Sequence, residues 1–283
     1  LRAGHGELET VERAVAALHV RGAAVSWDGF YEAVHTQAVL LPSYAFQRTR
    51  HWLDGAKSVA ELLPGQKKGH NDLAGYYVSK PDGSHHHFIP MGPSHQSYLS
   101  DHLIHGQVIA AGAFSLGSVL AVAEEHWAED GFSLESVQFM RPLFADVDKV
   151  LQVVLEPSGG QSQYDFKLLT IEEDIDGEQE WALYVEGTIV VGSPEPFSDL
   201  ILDEAKARCQ NSVVVEEHYG ELAAVHIVWG PKWCWTEEAY GGGSMADGGL
   251  VCLGPPEGMR AGDLPLHPVV IDNGFAASGI AVK

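Results

Sequence analysis

Residues 112–127 read GAFSLGSVLAVAEEHW, a run in which Leu116, Val119, Leu120 and Ala123 recur at helical spacing and charge appears only towards the end. This pattern predicts a largely buried helix, and together with the segments beyond it decides the fold. SLESVQFMRPLF (133–144), KVLQVVLEP (149–157), QYDFKLLTI (163–171) and EWALYVEGTIVV (180–191) are four strand candidates, separated by turn residues such as SGG and DIDG. One apolar helix leading into a meander of long strands predicts an antiparallel sheet wrapped around that helix, an α+β arrangement. The β-prone pieces AGYYV (74–78) and HHHFIPM (85–91) and the histidine-bearing entry DHLIHGQVIAAGAF (101–114) lead into it.

The same order of parts recurs weakly downstream. After a polar, proline-containing stretch at 193–211, SVVVEEHYGELAAVH (212–226) reads as a helix, and WGPKWCWTEEAY (229–240) and GGLVCLGP (248–255) read as strands. LPLHPVVIDNGFAASGIAV (264–282) is a second histidine-led entry into an apolar helix. Two copies of one helix-in-sheet unit are therefore expected, at 74–192 and 212–283, with 193–211 linking them. The second ends inside its helix and reads as truncated.

Upstream, ETVERAVAALHVR (9–21) sets Val11, Val15 and Leu18 at helical spacing, with Thr10 as the expected N-cap and Gly22 as a stop. SWDGFYEAV comes next, and VLLPSYAFQRTRHWLDG (39–55) suits an extended strap. Residues 56–73 collect Gly, Pro and Lys without a period and read as a linker.

Composition narrows the functional classes. The chain has 283 residues, 45% hydrophobic and 20% charged, enough for a sizeable core in one large or two smaller domains. No apolar run approaches the ~20 residues that span a bilayer, and LRAGHGELETVERAV lacks the pattern of a signal peptide, so a cytoplasmic protein is expected. The first residue is not Met, which suggests a piece of a longer polypeptide or a processed product. A net charge of -22 repels phosphate backbones and anionic lipids, arguing against nucleic acid or a membrane surface as a general partner. Three cysteines without CxxC spacing argue against a disulfide framework and a thiolate zinc site. Neighbouring His85, His86 and His87 alternate faces on a strand and do not converge unaided, so no metal is expected.

Two helix N-termini packed near a dyad would bring the entry around His102 against that carrying Asp272. A neutral imidazole removes a proton, and a carboxylic acid kept protonated by an apolar pocket donates one; together they run an elimination. Amides near Ala111, Gly112 and Ala113 at the start of the first helix suit the oxygen of a polarised carbonyl. On spacing alone the blander alternative stays open: Asp272 as a helix-terminal carboxylate and His102 as a satisfied core group.

DHLIHGQVIAAG resembles the HxxxGxxxxP motif of dehydratase domains in modular polyketide synthases, with His102 and Gly106 in the motif positions. LHPVVID resembles the family's HPxxxD motif, with His267, Pro268 and Asp272, and WGP (Trp229, Gly230, Pro231) resembles its YGP element. The order of motifs from about Ala74 onwards matches the family's. LLPSYAFQRTRHWL and LHVRGAAVSW are similar to the linker that comes after the acyltransferase in such synthases, so residues 1–55 are expected to be post-acyltransferase linker.

The resemblance implies a double hotdog acting on a β-hydroxyacyl thioester carried by the phosphopantetheine of an acyl carrier protein. It assigns His102 to the α-proton, Asp272 to the departing β-hydroxyl and the Gly112 N–H to the thioester carbonyl. Gly106, Ala111, Trp229, Gly230, Pro231, His267, Pro268 and Ala276 would line the pocket, and His267 would fix the loop before the second helix. No metal or bound cofactor is implied. The implied partners are the carrier protein and neighbouring synthase domains, in a homodimer.

Three positions depart from the pattern: Ala111 replaces the motif proline, Ala276 stands where Gln or His is usual, and Trp229 replaces the tyrosine. Loss of the proline relaxes the backbone beside the pocket, and loss of Gln or His removes a group that positions the aspartate. A double-bond isomerase shifting α,β to β,γ unsaturation with His102 as sole base is thus the alternative to dehydration. A cyclising or silent domain comes third, and a non-catalytic scaffold is a reading of a different class. Trp233, Trp235 and Tyr240 suit an acyl tunnel, although strand aromatics are more often core. His105 reads as a neighbour at the rim, and Lys67 and Lys68 as solvated linker or a contact for an acidic carrier.

Overall fold

The computed structural model describes residues 6–33, 65–160, 162–173, 178–192, 202–257, 259 and 264–283. The chain divides into two compact units, Leu1–Trp52 and Leu53–Lys283. The strap read at 39–55 lies outside the described residues.

In the first unit α1 (Glu7–Val20) buries none of its residues. Thr10 does not cap it. The helix starts three residues earlier behind Gly6, and the Thr10 hydroxyl donates to the Gly6 carbonyl at 3.0 Å from within the first turn. Gly22 ends it with φ +86°, a conformation that favours glycine. The short α2 (Trp27–Phe30) comes next, capped by Ser26, whose hydroxyl accepts from the Gly29 amide.

The second unit is built on a seven-stranded antiparallel sheet. In chain order its strands are β1 (Lys67–Lys68), β2 (Tyr76–Ser79), β3 (His85–Met91), β6 (Phe132–Phe139), β8 (Lys149–Ser158), β9 (Gln163–Glu173) and β10 (Gln179–Val191). In space they run β1-β2-β3-β8-β9-β10-β6. Period-two burial explains the strands: Leu151, Val153 and Leu155 on β8 and Phe166 and Leu168 on β9 are fully buried, with intervening residues turned outward. Against this face packs α3 (Gly112–Trp127), which matches the expected helix and buries Phe114, Val119 and Val122 completely. Each such side chain stabilises the fold by roughly 1.5–3 kcal/mol.

Two further sheets carry the site. A four-stranded sheet runs β12-β4-β5-β7, from β4 (His102–Ile104), β5 (Gln107–Ala110), β7 (Leu143–Phe144) and β12 (Ile227–Trp229). A three-stranded sheet runs β11-β13-β14, from β11 (Asn211–Val213), β13 (Thr236–Gly241) and β14 (Gly249–Leu253). Helices α4 (Leu202–Arg208), α5 (Val215–Ala224) and α6 (Pro268–Ala276), with short 3-10 turns at Ser97–Asp101 and Ala277–Gly279, complete the described elements.

The stretch SLESVQFMRPLF is not one strand. It breaks at Arg141–Pro142, so that β6 joins the large sheet and β7 the small one, because proline cannot donate to a ladder. WGPKWCWTEEAY likewise divides, with Trp229 ending β12 and Thr236 opening β13. The adjoining histidines do alternate, but His85 and His87 share a face that the helix covers. There His87 Nε2 lies 2.8 Å from His126 Nε2, and the His87 Nδ1–H donates to the Ala74 carbonyl.

Candidate active site

The histidine of the first motif stands at the start of β4 and is 3% exposed. The chain turns back at once through His105 and Gly106, at φ +50° and +78°, the paired positive values of a tight type I′ hairpin. Leu103 then pairs with Val108, which aligns His102 with Ile109. Its Nδ1 lies 2.6 Å from the Ile109 carbonyl. A carbonyl only accepts, so Nδ1 carries the hydrogen and the neutral ring keeps its lone pair at Nε2.

That nitrogen faces Asp272 Oδ2 at 3.6 Å. Asp272 rides on α6, which starts at Pro268 and is capped by His267, whose Nδ1 accepts from the Val269 amide at 3.2 Å. Burial pushes His267 down to about 4, keeping it neutral and able to accept, and its ring stacks on Trp235 at 4.7 Å. The Asp272 carboxyl is raised above the ordinary carboxylate range, chiefly by burial; the Trp233 N–H, and a charge on His102 when that ring is protonated, oppose the shift.

The two halves are held together at several points. Strand β12 pairs with β4 so that Trp229 lies opposite His102. The next residue, Gly230, donates its amide to the Asp101 carbonyl at 2.7 Å, and the Asp101 carboxylate accepts the Lys232 amide at 2.7 Å. A Cβ on Gly230 would stand 2.6 Å from that carboxylate, so a larger residue here would displace it from the Lys232 amide. Helices α3 and α6 touch where a Cβ on Gly117 would meet the Pro268 ring at 2.9 Å.

Gly112 opens α3, so its amide is among those without an intrahelical acceptor. Beside it lies a cavity of about 410 Å³ whose lining includes Ile109, Ala111, Gly112, Phe139, Arg141 and Tyr184. Neither His102 nor Asp272 is among its lining residues; the cavity and the pair share a neighbour in Ile109, whose carbonyl holds His102. A larger cavity of about 490 Å³, lined by Lys68, Asn71, His95 and Lys149 among others, shares no residue with this site. Among the described residues no group of three His, Cys, Asp or Glu side chains is arranged to hold a metal.

Of the residues singled out by motif, the structure gathers His102, Trp229, Gly230, His267, Pro268 and Asp272, and sets Ala111 and Gly112 in the wall of the neighbouring cavity. It does not bring Gly106 or Pro231, which are exposed in their turns. Ala276 ends α6 one turn after Asp272 and offers no polar atom. His105 is exposed and packs on His226 at 4.8 Å. Two participants carried no motif signal. Trp233 donates its indole N–H to Asp272 Oδ2 at 2.8 Å. Buried Asn273 donates to the Trp233 and Val269 carbonyls at 2.9 and 2.8 Å. A lone Asn on the apolar face of PVVIDNGFA was the available clue.

The fold is a double hotdog of the α+β class. The model for the polyketide synthase dehydratase domain matches residues 72–170, and that for the polyketide synthase dehydratase N-terminal domain matches residues 199–283. The chain belongs to the dehydratase domains of modular type I polyketide synthases. It is 26% identical over 284 residues to Pks1, a phenolphthiocerol synthesis polyketide synthase of Mycobacterium tuberculosis whose name carries the word inactive. The alignment covers 98% of this chain and 17% of that protein. The dehydratase domain from the CurF module of the curacin polyketide synthase superposes with a TM-score of 0.65 at 21% identity, over 75% of this chain and 76% of that one. CurK dehydratase, solved as inactive histidine-to-phenylalanine and aspartate-to-asparagine mutants, superposes at 0.64 and 0.63, each at 19% identity over 74% of this chain and 73% of that one. Among the described residues no helix is long and apolar enough to cross a membrane.

Proposed function

We propose that this domain removes water from a 3-hydroxyacyl chain carried as a thioester on the phosphopantetheine of an acyl carrier protein. His102 Nε2 takes the α-proton while the Gly112 amide polarises the thioester carbonyl. The C–O bond at the β-carbon breaks, and Asp272 gives its proton to the leaving hydroxyl, releasing water and a 2-enoyl thioester. Proton transfer from His102 to Asp272 then resets both groups, so no proton is consumed overall.

The observation that carries this reading is the 3.6 Å approach of His102 Nε2 to Asp272 Oδ2, with the His102 tautomer and ring fixed by Ile109. The raised Asp272 carboxyl supports its use as an acid. The inactive CurK variants involve the same two residue types. Such an elimination needs no metal and no redox cofactor. Tethered delivery by a carrier within the synthase supplies a high effective concentration in place of tight binding.

The test offers the protein both 3-hydroxyacyl and 2-enoyl substrates on a carrier protein and tracks mass and double-bond position, beside His102→Ala and Asp272→Asn. Water loss that drops at least about 100-fold in each variant is the expected result. Double-bond migration surviving Asp272→Asn but not His102→Ala would replace dehydration with isomerisation. No turnover of either substrate would leave a silent or scaffold domain.

A further inference from the structure

Asp272 has no polar neighbour on its own helix. The side chains that share its face, three and four residues away, are Pro268, Val269, Phe275 and Ala276. Its hydrogen bond comes instead from the opposite wall, where Trp233 Nε1 stands 2.8 Å from Oδ2. Trp233 is completely buried and held from several sides. Its amide donates to the Gly230 carbonyl at 2.9 Å, and its carbonyl accepts from Asn273 Nδ2 at 2.9 Å. Its ring packs at 4.9 Å on His102 and at 5.7 Å on Tyr98. Gly230 in turn hangs from Asp101, the residue before His102. An unbroken set of short contacts thus runs from the base to the acid through this one indole.

An indole N–H only donates, so the oxygen it meets must accept. Oδ2 is also the oxygen that faces His102. We propose that Trp233 is the positioning residue of the acid, holding the carboxyl through Oδ2 so that it faces His102 and presents its proton to the substrate hydroxyl. This rests on the dehydration reading for the role of the proton, while the Trp233–Asp272 bond itself is testable without turnover. The indole does from the facing wall what a polar side chain at position 276 would do from the same helix.

The test combines three readouts. In the unaltered protein the Trp233 indole N–H resonance, assigned by its loss in Trp233→Phe, is expected to titrate with the Asp272 carboxyl carbon and to stop doing so in Asp272→Asn. In Trp233→Phe, which keeps a ring but loses the donor, the Asp272 midpoint is expected to rise, because the lost bond favoured the ionised form. kcat should fall by roughly 10-fold or more with KM changing far less, the size of a lost bond to a charged group. Adding Ala276→Gln to Trp233→Phe should restore much of both. An indole resonance blind to Asp272, an unmoved midpoint, or failure of the second substitution to rescue would each overturn the proposal. If the unaltered protein turns over neither substrate, the dehydration reading falls and the two titrations alone decide the part played by Trp233.

Discussion

Trp229 lies directly opposite His102 in the pairing of β12 with β4, so the second half of the domain is stitched to the first at the candidate base itself. The buried Trp229 indole N–H finds no acceptor among the described residues. An unpaired buried donor costs about 1–3 kcal/mol. Trp229→Phe keeps the ring and removes the donor, so the thermal midpoint is expected to rise by roughly 2–4 °C for each kcal/mol recovered in a domain of this size. A lowered midpoint in a calorimetric scan would show that the lost indole packing outweighs the unpaired donor and would overturn this prediction.

Ala111 occupies the position where the motif carries proline, yet its backbone sits at φ -56° and ψ 152°, within reach of a proline ring. Ala110 before it lies in a strand, the conformation that a proline at the next position demands. The bend therefore survives without the ring that would fix it. Ala111→Pro is expected to stabilise the domain by about 0.4–1 kcal/mol through the unfolded chain. Urea titration of the two proteins reads this directly, and a loss of stability would mean that the Ala111 amide is needed.

The face shared by His85, His87 and His126 makes stability sensitive to acid. Burial holds His87 down to about 4 and His126 down to about 3, against an ordinary value of 6.5, and His85 is also lowered. Below pH 6.5 the unfolded chain takes up these protons while the folded one does not, so stability falls as pH drops from 6.5 towards 4. His87, the most buried of them, contributes a slope of up to about 1.4 kcal/mol per pH unit in that window, and the more accessible His85 and His126 contribute less. His126→Phe is expected to flatten the fall in urea midpoint between pH 6.5 and 4; an unchanged slope would move its cause elsewhere.

Asp272 gives the opposite sign. Its raised carboxyl keeps a proton that the unfolded chain has already released, so its burial costs stability as pH rises above the ordinary carboxylate range. Asp272→Asn removes that cost. The variant is expected to melt higher than the unaltered protein at pH 7, with the gap closing near pH 4. For the same reason turnover should decline as pH climbs through the pKa of the acid, a macroscopic value belonging to the pair with His102. Equal melting temperatures at both pH values would contradict a protonated, buried Asp272.

Reading the chain alone captured the features that periodicity controls. The helix at 112–127 and the strands around 149–191 arise from apolar spacing that one face of a core imposes. The break at Arg141–Pro142 was missed because a hydrophobic run does not say which of two sheets each end will join. Thr10 was misread because side-chain chemistry marks a cap only when the backbone before it leaves the helix, and here it does not. His102 and Asp272 were legible through their motifs, whereas Trp233 was not. The sequence offered it either as core or as the wall of an acyl tunnel; it is completely buried, and the hydrogen bond it sends to Asp272 depends on a fold that no local pattern encodes.

The contact of Gly117 with Pro268 has a consequence for how a substrate arrives. Helix backbones that close together cannot be pressed nearer, and the turn at Gly230 and the strand opposite His102 tie the same halves from another side. Contacts between the two halves thus set the spacing between base and acid. Under the proposed reading, an acyl chain that reaches the amide opening α3 passes Phe139, whose ring stands 3.0 Å from where a Cβ on Gly112 would be.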